Sequence, residues 1–180
     1  MKRPWPGQDE RYPVEWRPLA DEQAIDAGGT ILRVHHTPGH SPDHLAFWHE
    51  ESRTIFAGDL VMPGGSVMVH ASRGGDLGQY LQSLERVRAL KPARLLPAHG
   101  GPVDDPERLL AGTIEHRLSR ERQVVAALAD GRTTVQAIAG CIYDGLAPAL
   151  MPAACETVRA HLEKLRREGR AAEADGWWTP

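Results

Sequence analysis

The sequence predicts an α/β layer followed by a small helical module closed by a hairpin, and three observations carry that expectation. Short apolar runs separated by Gly-rich or polar turns fill the stretch from Ile25 to Ala57. A helical pattern at Leu77, Tyr80, Leu81, Leu84, Val87 and Leu90 then leads into a further apolar run at Ala93–Pro97. From about residue 104 the patterns are helical until a short hairpin ends the chain. An order of strand, strand, strand, helix, strand implies a sheet with a helix over one face.

The elements follow in order. Pro4, Pro6, Pro13 and Pro18 deny the first 20 residues a sustained period, because proline removes donors and blocks helix. That segment reads as a connection wandering over a surface. Ala27-Gly28-Gly29 is a turn into a strand at residues 30–35. Leu45–His49 is a second strand, residues 50–53 a polar turn, and Thr54–Ala57 a third strand. Their apolar residues are contiguous, which suits strands covered on both faces. Gly64-Gly65 and Gly74-Gly75 bracket a loop, with Ser66–Val69 a candidate short strand. Asp76 caps the helix that follows, and Lys91-Pro92 ends it.

Beyond residue 104, Asp105-Pro106-Glu107 opens a helix with proline in its first turn. A second helical stretch runs from about Ile114 to Leu128, and Asp130-Gly131 stops it. Thr133 caps a short helix through Val135, Ile138 and Ile142. A further helix follows Pro152 with Val158, Leu162 and Leu165 inward, before a hairpin turning at Asp175-Gly176. Three helices and a hairpin outline a winged helix-turn-helix.

Composition excludes several classes. A formal charge of −3 over 180 residues gives no overall electrostatic case for nucleic acid or an anionic membrane. Cys141 and Cys155 are too few for a disulfide framework and are expected to be buried, small and apolar. No apolar run approaches membrane-spanning length and the start lacks a signal-peptide core, so a cytoplasmic protein without membrane contact is expected.

Chemistry concentrates in three phrases: Thr37-Pro38-Gly39-His40-Ser41-Pro42-Asp43-His44, Phe56-Ala57-Gly58-Asp59 and Leu96-Pro97-Ala98-His99-Gly100. Each sets a metal-type ligand, His40, Asp59 or His99, at a Gly-containing turn after an apolar run. Divalent cations such as Zn²⁺ accept imidazole nitrogen and carboxylate oxygen, and one carboxylate can bridge two of them. Ligands on strand-end loops suit such a site because a rigid sheet fixes their separation.

These phrases resemble, in order, the third, fourth and fifth motifs of the metallo-β-lactamase fold. The resemblance implies that His40 binds the first metal, that Asp59 bridges both and that His99 binds the second. Ile114-Glu115-His116-Arg117 and the arginine-rich helix after it resemble the β-lactamase-like protein 2 subfamily, whose winged-helix tail the C-terminal end is similar to. The implied fold is the second half of an αβ/βα sandwich over residues 1–112, then a helical linker and winged-helix-like α+β module over 113–180. The implied activity is hydrolysis by a metal-bound hydroxide, with zinc, or alternatively manganese, as cofactor. The resemblance also implies cleavage of single-stranded RNA, so an RNA phosphodiester is the first expected substrate. Small-molecule esters, thioesters or β-lactams are the second.

The chain departs from the family at one motif. No His-x-His-x-Asp-His stretch is present, so three of the family's seven ligands are accounted for. His35 and His36 are adjacent on a strand, point to opposite faces and cannot replace it. The missing motif would lie upstream of residue 1. A gene fragment, a start codon assigned too late or a shortened chain is therefore expected, with Met1 not the biological start. The partner implied is the missing N-terminal half, or a second copy through the exposed sheet face. An inactive remnant, or a module binding nucleic acid or a partner, is the non-enzymatic alternative.

His44 is expected to brace the turn rather than ligate, and His36 to sit near the site rim. His35, His49, His70, His116 and His161 are expected to be ordinary polar residues. Trp177 and Trp178 either pack the wing onto the helices or stack on a nucleobase. From residue 131 onward six basic groups meet six acidic ones. Such a neutral module favours packing or a lid over the substrate above DNA binding.

Overall fold

The computed structural model describes residues 17–180. The proline-rich reading of the N-terminal segment falls mostly outside them. Five strands, β1 (Ala24–Asp26), β2 (Ile31–His36), β3 (Leu45–His49), β4 (Thr54–Gly58) and β5 (Arg94–Pro97), form one sheet in the order β1-β2-β3-β4-β5. The first four pair antiparallel, and β5 joins β4 in parallel through the crossover helix α1 (Leu77–Ala89). β2, β4 and β5 therefore run the same way and end at the same sheet edge. That direction decides where the three phrases meet.

One sheet face is covered. Ala46, Trp48, Ile55, Ala57 and Leu95 pack with Leu77, Tyr80, Leu84 and Val87 of α1 and Leu110 from the next helix. On the other face Val34, Phe47, Phe56 and Leu96 stand in one register row. Phe56 there is 42% exposed. The contiguous apolar pattern thus finds cover on the α1 side, while Phe56 stays open among the described residues.

The candidate strand at Ser66–Val69 is irregular chain, although Val67 and Val69 reach the core. The two helical stretches after Asp105 are one helix, α2 (Pro106–Ala129), running through residues 112 and 113. Its first half supplies Leu110 to the sheet core and its second half Val124, Ala127 and Leu128 to a separate one. α3 (Val135–Ile142) is capped by Thr134, whose hydroxyl accepts from the Ala137 N–H, and not by Thr133. α4 (Met151–Arg167) buries Val158, Leu162 and Leu165, as its spacing predicts. The hairpin of β6 (Ala172–Ala174) and β7 (Trp177–Thr179) lays Trp178 into this second core, whereas Trp177 is 59% exposed. Packing therefore accounts for Trp178 alone. Cys141 is exposed rather than buried, and Cys155 is half-buried. Among the described residues no helix is long and apolar enough to cross a membrane.

Candidate metal centre

The shared strand direction delivers the three phrases to one place. The phrase after β2 carries His40, the residue after β4 is Asp59, and the turn after β5 carries His99. The Ala98 N–H donates to the Gly58 carbonyl at 2.8 Å, locking the last two turns side by side. His40 Nε2 lies 3.9 Å from Asp59 Oδ2, and His99 Nε2 lies 3.4 Å from Asp59 Oδ1. Each imidazole thus faces a different oxygen of one carboxylate. His99 is the outermost at 72% exposed, with Asp59 at 40% and His40 at 31%.

Two glycines and one helix shape these turns. At Gly39 a β-carbon would fall 2.3 Å from the Tyr80 backbone nitrogen, so the His40 turn can lie directly on α1. At Gly58, with φ +53°, a β-carbon would fall 2.6 Å from His44 Nε2. Both positions need glycine for close approach as well as for backbone angle. α1 then clamps both loops. Ser83 Oγ donates to the Pro38 carbonyl at 2.8 Å, the Asp76 N–H donates to the Gly39 carbonyl at 2.9 Å, and Tyr80 Oη donates to the Leu60 carbonyl at 2.8 Å.

Around the trio the remaining histidines divide by role. His44 Nε2 accepts from the Asp59 N–H at 3.0 Å, so the neutral ring carries its proton on Nδ1 and donates to Thr37 Oγ1 at 2.8 Å. Burial first, and the neighbouring His40 second, hold the His44 pKa below the ordinary histidine value. It braces the turn and leaves no nitrogen for a metal. His40 Nδ1 donates to the Met68 carbonyl at 2.8 Å, leaving Nε2 as a lone pair directed toward Asp59. His36 Nε2 is 2.9 Å from the Pro42 carbonyl and braces the same loop from outside.

Among the histidines expected to be ordinary polar residues, His35 and His161 are buried, at 3% and 0% exposed. His35 Nδ1 lies 3.1 Å from Glu22 Oε1 in a cluster with Asp21, and Arg86 pairs with both carboxylates. That guanidinium already neutralises the pair. His161 sits between modules beside Glu121 and Lys164.

The donor set fits a divalent pair: one imidazole lone pair fixed by its tautomer, a second imidazole, and a carboxylate with an oxygen toward each. Sequence reasoning missed the parts that align it, namely Tyr80, Ser83 and the Met68 carbonyl. Tyr80 belongs to the apolar helical period and so reads as core, Ser83 lies outside that period, and a backbone carbonyl leaves no trace in residue identity. Nor did it anticipate the second module's reach. α4 touches the Met68–Arg73 loop through Ser72 Oγ to Glu156 Oε2 at 2.8 Å and Thr157 Oγ1 to Met68 Sδ at 3.8 Å.

Comparison with known proteins identifies the family and the fold. Residues 2–99 match the Metallo-beta-lactamase superfamily, and residues 134–178 match the Beta-lactamase associated winged helix domain. A Beta-lactamase-like protein 2 homolog from Drosophila melanogaster is 33% identical over 160 residues, covering 87% of this chain and 53% of its own length. An atrochrysone carboxyl ACP thioesterase from a Cryptosporiopsis species is 32% identical over 124 residues, covering 69% of this chain and 37% of its own length. The crystal structure of a metallo-beta-lactamase family protein from Thermus thermophilus superposes with a TM-score of 0.79 at 28% identity, over 93% of this chain and 55% of that one. The chain spans about half the length of the Drosophila relative.

Proposed function

Because the chain belongs to the metallo-beta-lactamase superfamily and ends in its associated winged helix, we propose that it is the C-terminal portion of a metal-dependent hydrolase acting on single-stranded RNA. The observation that carries the hydrolytic reading is the shared carboxylate, with one Asp59 oxygen toward His40 and the other toward His99. In this reading His40 holds one cation, His99 holds the other, and Asp59 serves both. A zinc or manganese pair, when bound, supplies an activated water and polarises the bond to be cut.

The chain's own residues keep that arrangement rigid. His44 pins the Asp59 backbone, the Met68 carbonyl sets the His40 tautomer, and α1 fixes the height of both loops. The family's second ligand motif is not among these 180 residues, so turnover is proposed for the complete two-sided site.

RNA is favoured by the resemblance to the β-lactamase-like protein 2 relatives, and the winged-helix module packs on the loop behind His40. Thioester hydrolysis is the second reading, supported by the ACP thioesterase relative, since the same nucleophile attacks an acyl carbon equally well. The test is a parallel assay of single-stranded RNA, an acyl thioester and a chromogenic lactam with Zn²⁺ or Mn²⁺. RNA cleavage is expected. Thioester or lactam turnover with intact RNA overturns the substrate assignment, and RNA binding with neither metal uptake nor turnover favours a non-enzymatic module.

A further inference from the structure

Close to the His99 turn lies a groove that the proposed chemistry does not use. It has a volume of about 400 Å³, within the usual range for ligand sites, and its walls include Gly65, Ser66, Val103, Arg108, Gly112 and His116. One backbone pairing and one close approach tie it to the His99 turn. Val103 exchanges both backbone hydrogen bonds with Leu95, at 3.0 and 2.9 Å, so residues 96–102 form a short excursion that ends at Val103 on the groove wall. A β-carbon on Gly100 would lie 3.2 Å from Pro63 Cδ, which places the chain entering Gly64-Gly65 against the His99-Gly100 turn.

Gly112 is the informative residue. It sits inside α2, where glycine is less favourable than alanine, and it is exposed. A β-carbon there would meet nothing within 4 Å, so neighbouring atoms do not require the glycine. What a side chain would take is groove volume. Arg108, one helical turn earlier, lines the groove, and no side-chain ion pair engages its guanidinium among the described residues. Asp105, also on the wall, accepts the Arg108 backbone N–H at 3.1 Å and is engaged as the α2 cap. Burial first, then the charges of Arg117 and Arg120, keep the His116 imidazole below its ordinary pKa and so neutral at pH 7.

We infer that this groove seats a nucleotide of the RNA strand next to the scissile phosphodiester, with Arg108 on its phosphate and the Gly112 floor open for its base. The inference rests on the RNA reading above and names where that strand lies.

The test is fluorescence anisotropy of a labelled single-stranded RNA octamer with the chain in a chelator, so that binding is read without cleavage. The variants are Arg108→Ala, Gly112→Ala, Gly112→Leu and, outside the groove, Arg122→Ala. Arg108→Ala is expected to weaken binding and lower the salt slope by about one. Gly112→Ala is expected to melt higher than the parent and bind nearly as well. Gly112→Leu is expected to stay folded by thermal melting yet lose at least about tenfold in affinity, the size of one lost contact. Arg122→Ala is expected to change little.

Octamer binding that survives Gly112→Leu and Arg108→Ala unchanged overturns the groove assignment and leaves the RNA reading standing. No octamer binding by the parent chain overturns both. Competition by a phosphopantetheine thioester that Gly112→Leu abolishes assigns the groove to that substrate instead, and also overturns the inference.

Discussion

The Nε2 of His44 accepts the backbone N–H of Asp59 at 3.0 Å. A residue from the loop after β2 thereby fixes the residue that follows β4, and its other nitrogen is spent on Thr37 Oγ1 at 2.8 Å. The aspartate is thus held by its main chain, with one carboxylate oxygen turned toward His40 and the other toward His99.

Removing that brace is expected to be costly. His44→Ala leaves the Asp59 N–H and the buried Thr37 hydroxyl unsatisfied, a loss of about 1–3 kcal/mol. Gly58→Ala is expected to cost a similar amount, about 1–3 kcal/mol, because its β-carbon would fall 2.6 Å from His44 Nε2 at φ +53°. Urea denaturation of the two variants and of the double variant is the check. Sub-additive losses are expected, since both act on one contact.

The His40 tautomer is directly observable. With Nδ1 donating to the Met68 carbonyl at 2.8 Å, long-range ¹H–¹⁵N spectra at neutral pH are expected to show an Nδ1–H imidazole. A ring protonated at Nε2 alone contradicts the geometry.

Tyr80 is expected to contribute through its hydroxyl. Tyr80→Phe removes the bond to the Leu60 carbonyl and is expected to cost about 1 kcal/mol. Burial, opposed by the nearby Arg117, pushes its phenol up to about 12. Absorbance titration at about pH 11, above the ordinary tyrosine value, is expected to leave Tyr80 neutral.

Much of this was legible in the sequence, and the exceptions have physical causes. Leu45–His49 stands out because a polar turn and two apolar runs bound it, and Asp76 because a capping carboxylate precedes a clear helical period. β1 escaped notice because three residues carry no period. Gly112-Thr113 reads as a break, yet α2 passes through it because helix continuity is set by cores at both ends, Leu110 in one and Val124 in the other. The sequence marks Arg117 only as part of an arginine-rich stretch, yet it is 4% exposed, bonded to the Val67 carbonyl with its guanidinium over Tyr80. A charged residue buried between modules is specified by tertiary packing, which a local pattern does not encode. The trio itself was legible because each ligand stands at a turn whose glycine is needed nearby.

Acid is expected to loosen the contact between the modules in two steps. Burial holds the His161 pKa below its ordinary value, with Arg117 and Lys164 adding to the effect against Glu121. A depressed histidine means the unfolded chain binds more protons just below about pH 6.5. Stability is therefore complete above that pH and falls as pH drops through the window. Glu121 is held down to about 2, first by His161 and then by Lys164 and Arg170. Of these, the Lys164 contact at 2.7 Å and the Arg170 contact at 2.9 Å are firm hydrogen bonds, while His161 stands at 3.9 Å. The stability from Glu121 is present above its unfolded value of 4.5 and is lost as pH falls toward 2. Urea midpoints at about pH 7.5 and pH 5.5 check the first step. His161→Leu is expected to flatten the difference without abolishing it, because His35, His44 and His116 shift in the same direction.

The shared carboxylate is tested most directly by Zn²⁺ competition against a chromogenic chelator, comparing the parent chain with His40→Ala, His99→Ala and Asp59→Ala. If Asp59 serves both positions, its removal weakens Zn²⁺ binding more than the loss of either histidine, each of which is expected to cost at least about tenfold. An Asp59→Ala chain that takes up Zn²⁺ as the parent does contradicts the assignment of this trio as a metal centre.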